Sequence, residues 1–129
     1  SLGHIWDKPI FTVLVRNTRY TYELINKAND FTVSFPLNGQ LKKELAFCGS
    51  KSGRDIDKIK ECGLHLEDSK MVKSPIIGGC DLYLECRIVY KQGMDKNLLD
   101  ENIKKKMYSG NDFHTMYYGE ILKAYIIEK

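Results

Sequence analysis

Arginine set among hydroxyl side chains at the start of a helix is chemistry for gripping an anion, and this chain carries that combination twice. The first stretch is Arg16-Asn17-Thr18-Arg19-Tyr20-Thr21, which follows the apolar run Phe11 to Val15. The second is Ser50-Lys51-Ser52-Gly53-Arg54-Asp55, with Lys58 one turn further on. Helix starts present unpaired backbone N–H groups and the positive end of the helix dipole. Arginine adds a planar fork of donors that matches a phosphate, and Ser or Thr adds short donors beside it. Two such stretches in a small chain point to one phosphate-bearing ligand held from two sides.

Other chemistry is thinner. His4, His65 and His114 stand without a carboxylate at telling spacing, so each reads as a surface or satisfied structural histidine. His114 precedes the aromatic pair Tyr117-Tyr118, where a substrate-side position is the alternative. Cys48, Cys62, Cys80 and Cys86 form no Cys-x-x-Cys pair and have no histidine at ligand spacing, so no metal is expected. They read as small buried thiols kept reduced, with a redox-active pair as the alternative. Cys80 and Cys86, six apart, should share one face of a strand.

The elements that must position the two polar stretches follow from periodicity. Ile10 to Val15 is β-branched and aromatic, hence a strand. Thr18 to Ala28 carries Tyr20, Leu24 and Ala28 on one helical stripe and ends at Asn29-Asp30. Phe31 to Phe35 alternates as a strand closed by Pro36, and Gln40 to Cys48 returns to helical spacing before Gly49. Ser52 and Asp55 stand in capping-box positions for a short helix that stops at Gly63. Then come the fragments Met71-Val72 and Ile76-Ile77 and a long strand from Cys80 to Tyr90. A helix over Leu98 to Met107 follows, and Thr115 to Ile127 is one or two strands interrupted at Gly119. Alternating rather than uniformly apolar strands favour an antiparallel sheet or barrel with flanking helices.

The chain has 129 residues, enough for one domain with a single core and no internal repeat. A net charge of +3 is too mild to indicate nucleic acid. No apolar run approaches the roughly 20 residues that cross a bilayer, and no leader-like segment opens the chain, so a cytoplasmic location is expected.

Taken in order, Arg16 to Thr21, Phe31-Thr32-Val33-Ser34-Phe35-Pro36, Ser52-Gly53-Arg54-Asp55-Ile56-Asp57-Lys58, Gly78 to Cys86 and Tyr118-Gly119-Glu120-Ile121 resemble the flavin-reductase-like proteins of the FMN-binding split-barrel fold. The resemblance implies a six-stranded antiparallel split β-barrel, a homodimer, and FMN as cofactor near the subunit interface. It places Arg16, Thr18, Arg19, Tyr20 and Thr21 around the phosphate and ribityl chain. Ser34 and Phe35 would lie along the isoalloxazine ring, and Ser52, Arg54 and Lys58 would close the phosphate end. Relatives also carry an upstream Asn-x-x-Thr-x-x-Trp segment that is not found here, so the barrel is expected without its usual first strand.

Residue chemistry leaves several readings open. Arg16 and Arg19 are poorly placed as plain solvated charges, because cations belong at the other end of a helix dipole. Thr18, Thr21 and Ser52 could act as N-caps as well as ligand donors. The resemblance implies an FMN-dependent oxidoreductase of the NAD(P)H:flavin reductase type, and a sequence without a triad or metal cluster fits it, since the flavin would supply the chemistry. A redox protein such as a ferredoxin is the alternative donor. The competing functions are a non-enzymatic electron carrier and a cofactor-free interaction protein.

Overall fold

The computed structural model describes residues 1–50 and 57–127. Ser52, Arg54 and the capping box at Asp55 lie outside the described residues.

Apolar residues on alternate positions build one five-stranded antiparallel sheet. Its strands are β1 (Leu2–Ile5), β2 (Lys8–Arg16), β3 (Asp30–Phe35), β6 (Leu82–Gly93) and β7 (His114–Ile126), with β4 (Leu66–Glu67) and β5 (Ile76–Ile77) forming a separate two-stranded ladder. The order across the main sheet is β1-β2-β7-β6-β3. Among the described residues the α-helices are α1 (Tyr20–Ala28), α2 (Lys42–Ser50), α3 (Lys58–Glu61) and α4 (Glu101–Met107), with a 3-10 turn at Lys96–Leu98. The mainly β, antiparallel expectation holds.

The period of two sorts the side chains onto two faces. Register pairs Val33 with Leu84 and Phe31 with Cys86, and this face gathers Phe31, Leu84, Cys86 and Tyr117 around Ile25 of α1. On the opposite face Tyr83 packs with Ile76 and Cys80, stacked against Tyr125 at 5.4 Å. Cys80 therefore sits ahead of β6 in the second cluster and does not share a face with Cys86.

That second face is covered by the segment before β5, and the carboxylates of Glu85 and Asp30 hold the segment down. Glu85, fully buried, accepts the backbone N–H of Lys70 at 2.9 Å and of Met71 at 2.5 Å. The Tyr125 hydroxyl donates to it at 2.7 Å. Asp30 accepts the N–H groups of Lys73 and Ser74 at 3.1 and 3.2 Å. Asp81 takes the Leu37 N–H at 2.7 Å and the Gln40 side-chain amide at 2.6 Å, fixing the chain reversal after β3. A carboxylate substitutes for carbonyls where irregular backbone would otherwise bury unpaired donors.

Several elements differ from the periodicity: Met71-Val72 is not a strand, the helix expected from Leu98 starts at Glu101, and β6 starts at Leu82 rather than Cys80. β1 carries no strand signal of its own and is created by a two-residue hairpin, Trp6-Asp7, with φ +57° at both positions. The helix after β2 begins at Tyr20 rather than Thr18, because the Thr18 backbone is bound elsewhere. β7 runs unbroken through Gly119. There the missing side chain admits Phe31: a Cβ would lie 2.5 Å from its ring and 2.8 Å from the Cys86 Cβ. Gly119→Ala should therefore destabilise the fold by about 1–2 kcal/mol through overpacking. A urea midpoint equal to wild type would show that the core has room there.

Candidate functional site

The first polar stretch joins β2 to α1, and an acidic residue nearly a hundred positions later shapes it. Asp112 accepts the Thr18 N–H through Oδ1 at 3.1 Å and the Thr18 hydroxyl through Oδ2 at 2.6 Å. Arg16 donates to the carbonyls of Asp112 and Met107, both at 3.1 Å, with the Asp112 carboxylate 3.9 Å away. Its guanidinium also lies 5.0 Å from the centre of the Tyr108 ring. The Asn17 N–H bonds the Phe113 carbonyl, and the Thr115 hydroxyl donates to the Asn17 side chain at 2.6 Å. The loops before α1 and before β7 thus form one hydrogen-bonded unit.

This arrangement tunes two titratable groups. The Thr18 hydrogen bond, with the charges of Arg16 and Arg19, holds the Asp112 carboxyl below its ordinary value. Burial and then the Arg16 charge depress His114, which favours its neutral imidazole. Its Nδ1 lies 2.5 Å from the Tyr108 hydroxyl, which donates to it when the ring proton is on Nε2. His114 is therefore a partnered histidine, half-buried behind the loop. Asp112→Ala should cost about 1–2 kcal/mol in urea unfolding, since two donors lose a charged acceptor. Asp112→Asn should recover part of that loss through Oδ1; equal midpoints for the two variants would deny the carbonyl-like role.

Arg19 and Thr21 are left at the open start of α1. Arg19 is the N-cap residue, with extended backbone and no capping hydrogen bond from its side chain. Its guanidinium makes no hydrogen bond or ion pair among the described residues. Thr21 is exposed on the first turn, beside Tyr20. Arg19 and Thr21 therefore stand beside the positive end of α1, the type of position where an anion is favoured.

The other expected residues are spread out. Ser34 and Phe35 project to opposite faces of β3: the Ser34 hydroxyl accepts the Ile77 N–H at 3.2 Å, while Phe35 packs edge-on to Phe11 at 6.2 Å. A flat ring lying on one face meets one of them; a ring across the strand end meets both. Lys58 opens α3 and donates to the Cys48 carbonyl at 2.6 Å. Among the described residues, the structure joins Arg16 with Thr18 and sets Arg19 and Thr21 on the next turn.

A second feature has no counterpart in the sequence reading. A cleft of about 230 Å³ is lined by Ile25, Asn26, Ile88, Tyr90, Lys91 and Tyr117. Asn26 Oδ1 accepts from the Tyr117 hydroxyl at 2.9 Å and from Lys91 at 3.4 Å. Its volume falls below that of the usual ligand pocket, about 300–1,000 Å³, so it does not by itself enclose a whole nucleotide.

Residues 5–129 match the flavin reductase like domain, nearly the whole chain. The chain belongs to the flavin reductase-like family. It is 34% identical over 110 residues to an uncharacterized protein of Archaeoglobus fulgidus, covering 85% of this chain and 52% of that one. Flavoredoxin from Methanosarcina acetivorans superposes with a TM-score of 0.74 at 27% identity, over 98% of this chain and 58% of its own. A Shewanella frigidimarina protein with a split-barrel domain matches in fold, with a TM-score of 0.73 at 17% identity, over 100% of this chain and 58% of that one. This member of the family thus has the split-barrel fold and spans between half and three-fifths of the length of these relatives.

Proposed function

We propose that this chain binds FMN and passes electrons or hydride through it as a flavin reductase-type redox protein. The observation that carries the proposal is the family match over residues 5–129. The start of α1 fits the phosphate of such a group: Arg19, Tyr20 and Thr21 would hold it, on amides that lack a side-chain cap. Arg16 and Thr18, tied to Asp112, would frame the turn. Ser34 and Phe35 would meet the ring at the end of β3, and Ser52, Arg54 and Lys58 would close the phosphate end. Flavin supplies the hydride or electron chemistry, while the protein binds, orients and tunes it.

The electron donor would be NAD(P)H or a redox protein. The proposal includes a homodimer in a cytoplasmic setting. In favour of a dimer, Trp6 is 56% exposed and packs with Tyr90 and Tyr118 into an aromatic cluster on the outer sheet face. A second copy over that cluster would remove apolar surface from water.

The deciding experiment is an FMN titration of the purified chain, followed by visible absorbance and flavin fluorescence. Saturable binding with a shifted flavin band is expected. A chain that stays colourless and leaves the flavin spectrum unchanged would sink the FMN reading and favour a cofactor-free interaction protein. Oxidation of NADH or NADPH by the loaded chain separates a reductase from an electron carrier.

A further inference from the structure

Two of the four cysteines meet across a helix pair, although fourteen positions separate them. Cys48 lies in the last turn of α2, and Cys62 is the C-cap residue of α3. Their Sγ atoms are 3.8 Å apart, and both residues are half-buried, within reach of a small reagent. Cys62 Sγ also lies 4.0 Å from the Glu44 carbonyl one turn earlier in α2. The Lys58 ammonium donates to the Cys48 carbonyl, so α3 is fastened to α2 at both of its ends. Asp57 caps α3 by accepting the Lys60 N–H at 3.2 Å, which steadies the turn carrying Cys62. A disulfide needs its sulfurs at about 2 Å, and closing the remaining gap requires side-chain rotation with a small shift of two surface helices.

The other two cysteines show what a structural thiol looks like in this chain. Cys80 and Cys86 are buried in separate clusters. Burial, with Asp81 beside one and Glu85 beside the other, raises both thiols, Cys86 to about 12. Both are inert packing groups. Cys48 and Cys62 differ in exposure and in having each other.

We propose that Cys48 and Cys62 form a reversible dithiol–disulfide couple, oxidised by low-molecular-weight disulfides of the glutathione class. The thiolate of one cysteine attacks one sulfur of the small disulfide, expelling one thiolate and leaving a mixed disulfide on that cysteine. The second cysteine then attacks the first cysteine's Sγ and expels the second thiolate. Two electrons pass from the cysteines to the small disulfide, which leaves as two thiols carrying the two cysteine protons. The product closes the chain between positions 48 and 62, with Lys58 inside the loop.

The test uses the full chain, reduced and then equilibrated with excess oxidised glutathione. Two of the four thiols should disappear, with a mass loss of about 2 Da for the bridged product. Digestion should yield one peptide pair linking Cys48 to Cys62, with Cys80 and Cys86 still open to alkylation after unfolding. Dithiothreitol should restore all four. Cys62→Ser and Cys48→Ser should each give no intramolecular bridge and stop at a glutathione adduct on the remaining cysteine of the pair. Four thiols surviving oxidation, a bridge involving Cys80 or Cys86, or a bridge that persists in either variant would overturn the proposal.

Discussion

Glu85→Leu should remove about 3–5 kcal/mol of stability, the loss expected when a buried charged acceptor is taken from its donors. Glu85 stands on β6 with its side chain wholly out of water, beneath the segment that follows β4. Three donors converge on it: the N–H groups of Lys70 and Met71 and the Tyr125 hydroxyl. Leucine of similar size leaves all three buried without an acceptor, and the covering segment must then lift or hydrate. Glu85→Gln is the sharper comparison. Its carbonyl still accepts on one side, but its amide N–H₂ must face a donor on the other, so it should recover only part of the loss.

The same residue gives the fold a defined acid sensitivity. Burial alone would raise the Glu85 carboxyl, but hydrogen bonds from Lys70, Tyr125 and Met71 outweigh it and hold the value below its ordinary 4.5. A carboxyl that is more acidic folded than unfolded contributes stability above its unfolded value. That contribution fades as pH falls through the folded one. Between pH 7 and pH 5 the Glu85 contribution should stay flat, and below about 4.5 it should decline. Urea midpoints across this range should converge for wild type and Glu85→Gln as the pH drops. A constant gap down to the acid limit would mean that Glu85 is not the titrating group.

Glu85 also marks where sequence reasoning stops. β2, β3, β6 and β7 were legible because one face of each packs on a core, which imposes a period of two, and α1 ended as expected at Asn29, held in the left-handed region at φ +62°. β1 was not legible, since its existence depends on Trp6 and Asp7 adopting a turn usually signalled by Asn-Gly. Gly119 read as a break because its small size was referred to the backbone, whereas the cause is the Phe31 ring. The anchors Asp30, Asp81, Glu85 and Asp112 escaped for one reason. Each bonds backbone or side-chain groups far along the chain, 94 positions away between Asp112 and Thr18, so no local spacing records the pair. A buried strand residue such as Glu85, acidic between Leu84 and Cys86, was the one visible warning.

The same limit recasts the first polar stretch and sharpens a test of its ligand. Arg16 and Arg19 looked equivalent in sequence, both cations near a helix start. Asp112 separates them: it and neighbouring carbonyls occupy Arg16, while Arg19 stays unpaired among the described residues. Arg19→Ala should therefore weaken FMN binding by about 1.5–3 kcal/mol, roughly tenfold to 150-fold in Kd, as the loss of charge-assisted bonds to a phosphate requires. Riboflavin, which has the same ring and chain but no phosphate, supplies the control. Its affinity should be lower than that of FMN in the wild type and unchanged by the substitution. Rising salt should weaken FMN binding more in the wild type than in Arg19→Ala, because an exposed charge pair is screened. Equal losses for both flavins would place Arg19 at the ring or in the fold rather than at the phosphate. Unchanged FMN affinity would detach the start of α1 from the cofactor altogether.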